Sequence, residues 1–230
     1  MMQRWLCAAA VFLALSGSAS AATTWPDDKL YVSAEWLKGQ AVNGDLVLLH
    51  LGRRDAYDAG HIAGAQFAPL DLFMHKDPDP DALTLELPTA DELRPVLEKL
   101  GISDSSKVVV YFKDAGIQSA ARVIFTFQAA GLGDRTRLLD GGFAAWHYAG
   151  YPDTQTEPAV APGKLSPLQM RSPVVDAAFV QSHLKAAGYK VVDARAPEFY
   201  SGEQVGGSPG KPHLKGHIAG AVSLPYSSFT

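Results

Sequence analysis

The sequence predicts an α/β protein: a parallel sheet flanked by helices on both faces, forming one complete domain plus the first half of a second. Three observations carry this. Short apolar runs at Leu46–Leu51 and Val108–Tyr111 alternate with helix-like stretches, and strands separated by helices imply parallel pairing. The phrase Gly-His-Ile-Ala-Gly-Ala occurs twice, at 60–65 and 216–221, too long a match for chance in a chain of this size. The upstream text also matches in kind, with a helix start, a short buried strand and an aromatic residue (Tyr57, Tyr200) ahead of each copy. Spacing far above that of solenoid repeats points to two related units.

The elements follow in order. Residues 33–39 suggest a short helix. Leu46–Leu51 reads as a strand buried on both faces. The 60–65 phrase is a turn, followed by a short strand near 66–68. Residues 71–88, rich in Asp and Pro, read as a loop. Thr89 caps a helix that runs to Leu100, with Glu92 three residues on, and Gly101 ends it. Val108–Tyr111 is a strand, 112–118 a loop, and 119–130 a helix stopped by Gly131. Leu138-Leu139 is a further strand, and Asp140-Gly141-Gly142 turns into a last helix containing Trp146. Residues 152–173 hold five prolines and no periodicity, as expected of an extended linker. From 173 the pattern restarts: helix, strand, loop, phrase, strand. The expected division is 1–21 signal peptide, 22–151 first domain, 152–172 linker, 173–230 incomplete second domain. With so little of its sheet in hand, the second unit is expected to be loosely packed.

The first residues show a charged start, an apolar core and an Ala19-Ser20-Ala21 cleavage site, the pattern of a secretory signal. The apolar run is shorter than the about 20 residues that span a bilayer. Export, with cleavage near Ala21, is therefore expected, to the periplasm or the outside, with no membrane association of the mature form. A net charge of −4 gives no reason to expect nucleic acid. The one cysteine, Cys7, falls in the presumed signal, so no disulfide and no cysteine metal site is expected afterwards. The P-loop motif is missing from the sequence. No metal-ligand spacing appears, and no cofactor is expected.

A strand feeding a tight loop and a helix aims backbone N–H groups into an anion cradle, where a cysteine would be a good nucleophile. The order Val108–Tyr111, loop, Ser119–Arg122, Leu139–Gly142 and Trp146, with the doubled phrase, resembles the tandem-domain rhodanese family of sulfurtransferases. The resemblance implies transfer of a sulfane sulfur from thiosulfate or a mercapto-acid to cyanide or a thiol acceptor. The sulfur is carried as a persulfide on a loop cysteine of the second domain. In the first unit the equivalent loop position carries Asp114, which cannot form a persulfide. The family's Asp-x-Arg at the end of the first long strand survives as Asp193-Ala194-Arg195 and is replaced by His50-Leu51-Gly52 in the first unit. The resemblance makes Arg195, supported by Asp193, the candidate substrate contact, with a structural ion pair as the other reading. It places the catalytic cysteine beyond Thr230. The chain alone is thus expected to be inactive, with a noncatalytic binding or scaffold module as the alternative. Where some members carry a substrate arginine after the motif, this chain has Phe199. His61 and His217 read as structural in preference to catalytic bases. Arg122 reads as a helix-surface residue or the partner of an interdomain carboxylate, and Lys211 and Lys215 as solvated.

Overall fold

A computed structural model of the chain describes residues 24–27, 29–40, 45–79, 82–83, 85–171, 173–206 and 214–229. The expected signal segment with Cys7, and also Lys211 and Thr230, lie outside the described residues.

Five strands form the main sheet: β1 (Tyr31–Val32), β2 (Leu46–Leu51), β3 (Ala65–Phe67), β4 (Lys107–Phe112) and β5 (Thr136–Leu139). Their order is β1-β5-β4-β2-β3, and every neighbouring pair is parallel. The helices between them are α1 (Ala34–Lys38), α2 (Arg54–Ala59), α3 (Ala90–Lys99), α4 (Gly116–Ala129) and α5 (Gly142–Tyr148).

Alternation along the central strands divides the core in two. Val47, Leu49 and Leu51 of β2, with Val108 and Val110 of β4, face α3 and α4 through Leu93, Leu97, Val123 and Phe127. Leu46 and Leu48, with Val109 and Tyr111, face α1 and α5 through Leu37, Phe143 and Trp146. Successive strand side chains point to opposite faces, so a strand covered on both sides must be apolar throughout. Each fully buried Leu or Phe contributes about 1.5–3 kcal/mol.

Local signals set several boundaries. The side chain of Thr89 accepts from the Glu92 N–H, while the Glu92 carboxylate accepts from the Thr89 N–H at 2.8 Å. This capping box fixes where α3 starts. Gly142 must be glycine: its φ is +58, and a Cβ there would lie 2.6 Å from the Phe112 carbonyl oxygen.

Three features differ from the sequence expectation. α4 begins at Gly116 rather than Ser119, which shortens the expected 112–118 loop to residues 113–115. β1 and α2 are additional elements. β1 has two residues, and α2 is preceded by Arg53, which offers no side-chain cap; neither carries a local signal. The 71–88 loop opens with a 3-10 turn at Leu70–Phe73 that buries Phe73.

Residues 152–171 contain no helix or strand beyond one isolated bridge at Thr154 and are held along the first unit. Thr154 and His61 exchange backbone hydrogen bonds at 2.9 and 2.8 Å. Gly163 N–H donates to the Glu98 carbonyl at 2.7 Å, Glu157 pairs with Arg54 at 2.8 Å, and Leu165 is buried in the α3/α4 core. Backbone groups without a ladder find partners on the adjacent surface.

The second unit consists of α6 (Ala177–His183), β6 (Val192–Asp193), α7 (Pro197–Ser201) and β7 (Val222–Ser223). β6 and β7 pair in parallel. Among its described residues Ala221 is the one buried apolar side chain, which agrees with the expected loose packing.

Candidate functional site

The two copies of the six-residue phrase build the same device. In the first, the Tyr57 and His61 rings stack with centroids 3.7 Å apart and planes at 5°. His61 Nδ1 lies 2.9 Å from the Tyr57 carbonyl oxygen, and Tyr57 O–H donates to the Ala65 carbonyl at 2.7 Å. In the second, Tyr200 and His217 stack at 3.7 Å and 7°. His217 Nδ1 lies 2.8 Å from the Tyr200 carbonyl oxygen, and Tyr200 O–H donates to the Ala221 carbonyl at 2.9 Å. The paired residues are 4 apart in sequence in one copy and 17 apart in the other. The contact therefore survives an insertion between them. Both histidines clamp a turn, which is the structural role expected of them.

Strand register then aligns the two units residue by residue. His50 lies opposite Phe67, two residues after Ala65. Asp193 lies opposite Ser223, two residues after Ala221. Ala68 N–H donates to the His50 carbonyl, as Leu224 N–H does to that of Asp193. His50 thus corresponds to Asp193, and Gly52 to Arg195. Both pairs stand where the strand ends and the chain turns toward a short helix.

In the second unit the pair is intact. Arg195 Nε donates to Asp193 Oδ1 at 2.9 Å and Nη2 to Oδ2 at 2.6 Å, and Nη2 also reaches the Gly216 carbonyl at 2.7 Å. The Asp193 side chain is 10% exposed and that of Arg195 is 44% exposed. Hydrogen bonding to the Arg195 guanidinium pulls the Asp193 carboxyl down to about 2. Asp193, Arg195, Lys215 and His217 line a cavity of about 540 Å³ with Val192 and Ile218. Asp193 orients the guanidinium, whose open face and the Lys215 ammonium can hold a small anion.

In the first unit the same space is filled differently. A Cβ on Gly52 would lie 2.2 Å from Asp114 Oδ1 and 3.1 Å from His50 Nε2. The Asp114 carboxylate therefore occupies the room into which a side chain at position 52 would grow. Asp114 accepts the Arg53 N–H at 3.1 Å and lies 3.6 Å from Arg53 Nε, so it serves the start of α2 rather than capping α4. Lys113 turns inward, donating to the Ala56 and Gly60 carbonyls at 2.9 and 2.7 Å beneath the Phe143 ring.

His50, which replaces the aspartate, is fully buried. Tyr111 O–H accepts the Ile62 N–H at 3.1 Å, which turns its hydrogen toward His50 Nδ1 at 3.0 Å. The ring hydrogen is then assigned to Nε2, and Nε2 has no partner among the described residues. Burial above all, then the charge of Lys113, lowers the His50 pKa to about 4.

The structure thus gathers Asp193 and Arg195 at one strand end, and Asp114 with Gly52 and His50 at the equivalent end of the other unit. It leaves Arg122 outside both. Arg122 Nη2 donates to the Leu85 and Glu86 carbonyls at 2.9 and 3.2 Å, pinning the 71–88 loop to α4. No carboxylate pairs with it among the described residues. Trp146 packs as expected, its indole N–H donating to the Pro152 carbonyl at 3.0 Å. Sequence reasoning missed Lys113, Tyr111 and Arg53 as neighbours of the loop. The period-two pattern that puts His50 and Gly52 on one face was the available signal.

The family described as "Rhodanese-like domain" matches residues 33–149. The chain is 35% identical over 182 residues to a probable 3-mercaptopyruvate sulfurtransferase of Pseudomonas aeruginosa, covering 74% of this chain and 59% of that protein. It is 30% identical to a thiosulfate sulfurtransferase of Azotobacter vinelandii, covering 80% and 64%. It is 32% identical to the 3-mercaptopyruvate sulfurtransferase of Mus musculus, covering 86% and 69%. The chain thus spans about 60% of the length of the two bacterial relatives. Among solved structures, the anaerobic ergothioneine biosynthesis enzyme of Chlorobium limicola superposes with a TM-score of 0.70 at 27% identity, over 85% of this chain and 50% of that one. SseA of Escherichia coli, described as a rhodanese fold, superposes with a TM-score of 0.71 at 21% identity, over 87% of this chain and 76% of that one.

Proposed function

Because this chain belongs to the rhodanese-like family, we propose that it is a tandem sulfurtransferase-type protein whose first unit is noncatalytic and whose second is the sulfur-handling half. The register equivalence carries the reading. Asp193 and Arg195 are kept at one strand end, while Asp114 stands over Gly52 at the other.

In the reaction of this class, a cysteine thiolate attacks the outer sulfur of thiosulfate. The S–S bond breaks, sulfite leaves with the bonding pair, and a persulfide remains. Cyanide then attacks the persulfide's outer sulfur, releasing thiocyanate and restoring the thiolate. In this scheme Arg195, steadied by Asp193 and joined by Lys215, holds the anionic donor. The 230 residues contain a single cysteine, Cys7, and the first unit's loop presents a carboxylate. A carboxylate has no sulfur to pass on. The chain alone is therefore expected to bind a sulfur oxyanion without turning it over. Export, with cleavage near Ala21, completes the reading; its support is the charged, apolar and small-residue order of the first residues.

The test is thiocyanate formation by the purified chain supplied with thiosulfate and cyanide. No product above the uncatalysed background is expected. Product that scales with protein concentration would overturn the inactivity of this chain. The second reading, a noncatalytic binding or scaffold module, is favoured by the way Arg53 and Gly52 lock Asp114 in place. Failure to bind thiosulfate at all would leave that module as the better description.

A further inference from the structure

We infer that Arg137 and Arg171 form a binding site for a small tetrahedral oxyanion, such as phosphate or sulfate, at the amino-terminal end of the main sheet. Arg137 is the second residue of β5. It is 9% exposed, and no carboxylate pairs with it among the described residues. A buried charge without a counter-charge is costly, and what does surround this one is telling. Nη1 donates to the carbonyls of Asp134 and Thr136 at 3.2 and 2.9 Å, with that of Gly133 at 3.5 Å. The Trp25 ring covers the guanidinium face at 4.7 Å. Nε is buried and has no hydrogen-bond partner among the described residues. Nη2 makes no hydrogen bond to the described residues and is the donor left for an oxyanion.

Arg171 arrives from the extended segment that follows the first unit. Its N–H donates to the Ala129 carbonyl at 2.6 Å, which fixes it against the carboxyl end of α4. Its exposed guanidinium likewise pairs with no carboxylate among the described residues. Arg137 and Arg171 line one cavity of about 450 Å³ together with Gln128, Gly133 and Asp134. Two unneutralised guanidinium groups from separate elements match a dianion better than a single carboxylate. The Asp134 side chain opposes binding, while the carboxyl end of α4, against which the Arg171 backbone is held, favours positive charge. The site is therefore selective and modest in affinity. It lies where the strands begin, opposite the Asp114 loop and apart from Asp193 and Arg195, so it stands or falls independently of the proposed function.

The experiment is calorimetric titration of the purified chain with sodium phosphate, sulfate and acetate at constant ionic strength. Saturable binding of phosphate or sulfate is expected. It should weaken about tenfold in Arg171→Gln, which removes an exposed partner and spares the core. Arg137→Lys, which keeps the charge and loses the free Nη2 donor, should weaken it similarly; its melting temperature reports whether it folds. Asp134→Asn should tighten binding, and every comparison is made in an Arg195→Ala background so that the second unit's anion cavity does not contribute. Binding that fails to saturate, or that is equal in Arg171→Gln, overturns the site. Acetate binding as tightly as phosphate overturns its assignment to tetrahedral oxyanions.

Discussion

The carboxylate of Asp114 stands in the space that Gly52 leaves open, 2.2 Å from where a Cβ on that glycine would be. The two positions form one steric unit, although α2, β3, α3 and β4 all lie between them in sequence. The corresponding position of the second unit carries Arg195, whose side chain projects from the same strand end.

Gly52→Ala is therefore expected to destabilise the fold by about 2–4 kcal/mol, combining a backbone at φ +154 with collision against Asp114 and His50. Adding Asp114→Ala should recover part of that loss, leaving about 1–2 kcal/mol of backbone strain. Denaturant midpoints of the two single variants and the double variant measure the coupling. Strict additivity would show that the two positions do not share this space.

The buried His50 predicts an acid-sensitive fold. In the unfolded chain the ring takes a proton near pH 6.5, whereas in the folded chain it does so only at about 4. Between those values the unfolded state binds more protons, so stability falls as pH drops from about 6.5 to 4 and this contribution is flat below. The loss amounts to roughly 3 kcal/mol. His50→Gln should flatten that slope in urea titrations run at several pH values. An unchanged slope would assign the acid sensitivity to other groups.

His61 and His217 make the same contact in very different surroundings. His61 is buried and faces the Thr156 carbonyl as well as that of Tyr57, so His61→Ala should cost about 2–4 kcal/mol in the main unfolding transition. His217 is exposed, and His217→Ala should cost under about 1 kcal/mol. Equal losses would contradict a clamp whose strength comes from burial.

Arg195→Ala should lower thiosulfate affinity about tenfold, the loss of one charged hydrogen-bonding partner. Arg195→Lys should recover little, because a point charge cannot reproduce the bidentate grip on Asp193. Calorimetric titration at constant ionic strength decides this. Wild-type affinity in Arg195→Ala would remove the second unit's cavity from the anion path.

What was legible in the sequence was local. β2 and β4 announced themselves because strands covered on two faces must be apolar along their whole length. α3 announced itself because Thr89 and Glu92 satisfy each other's backbone within one turn. The repeat, and with it the family resemblance and the two strand ends to compare, also needed only the text. Tertiary structure decided what the substituted positions do. Asp114 was visible as a missing thiol, and its fit over Gly52 and its bond to the Arg53 N–H were not. His50 looked like a lost aspartate until the parallel register set it beside Tyr111. Such partners are chosen by strand order and stagger, which arise from packing the whole sheet between its helices. A side chain's neighbour across that sheet leaves no trace in the residues beside it in the chain.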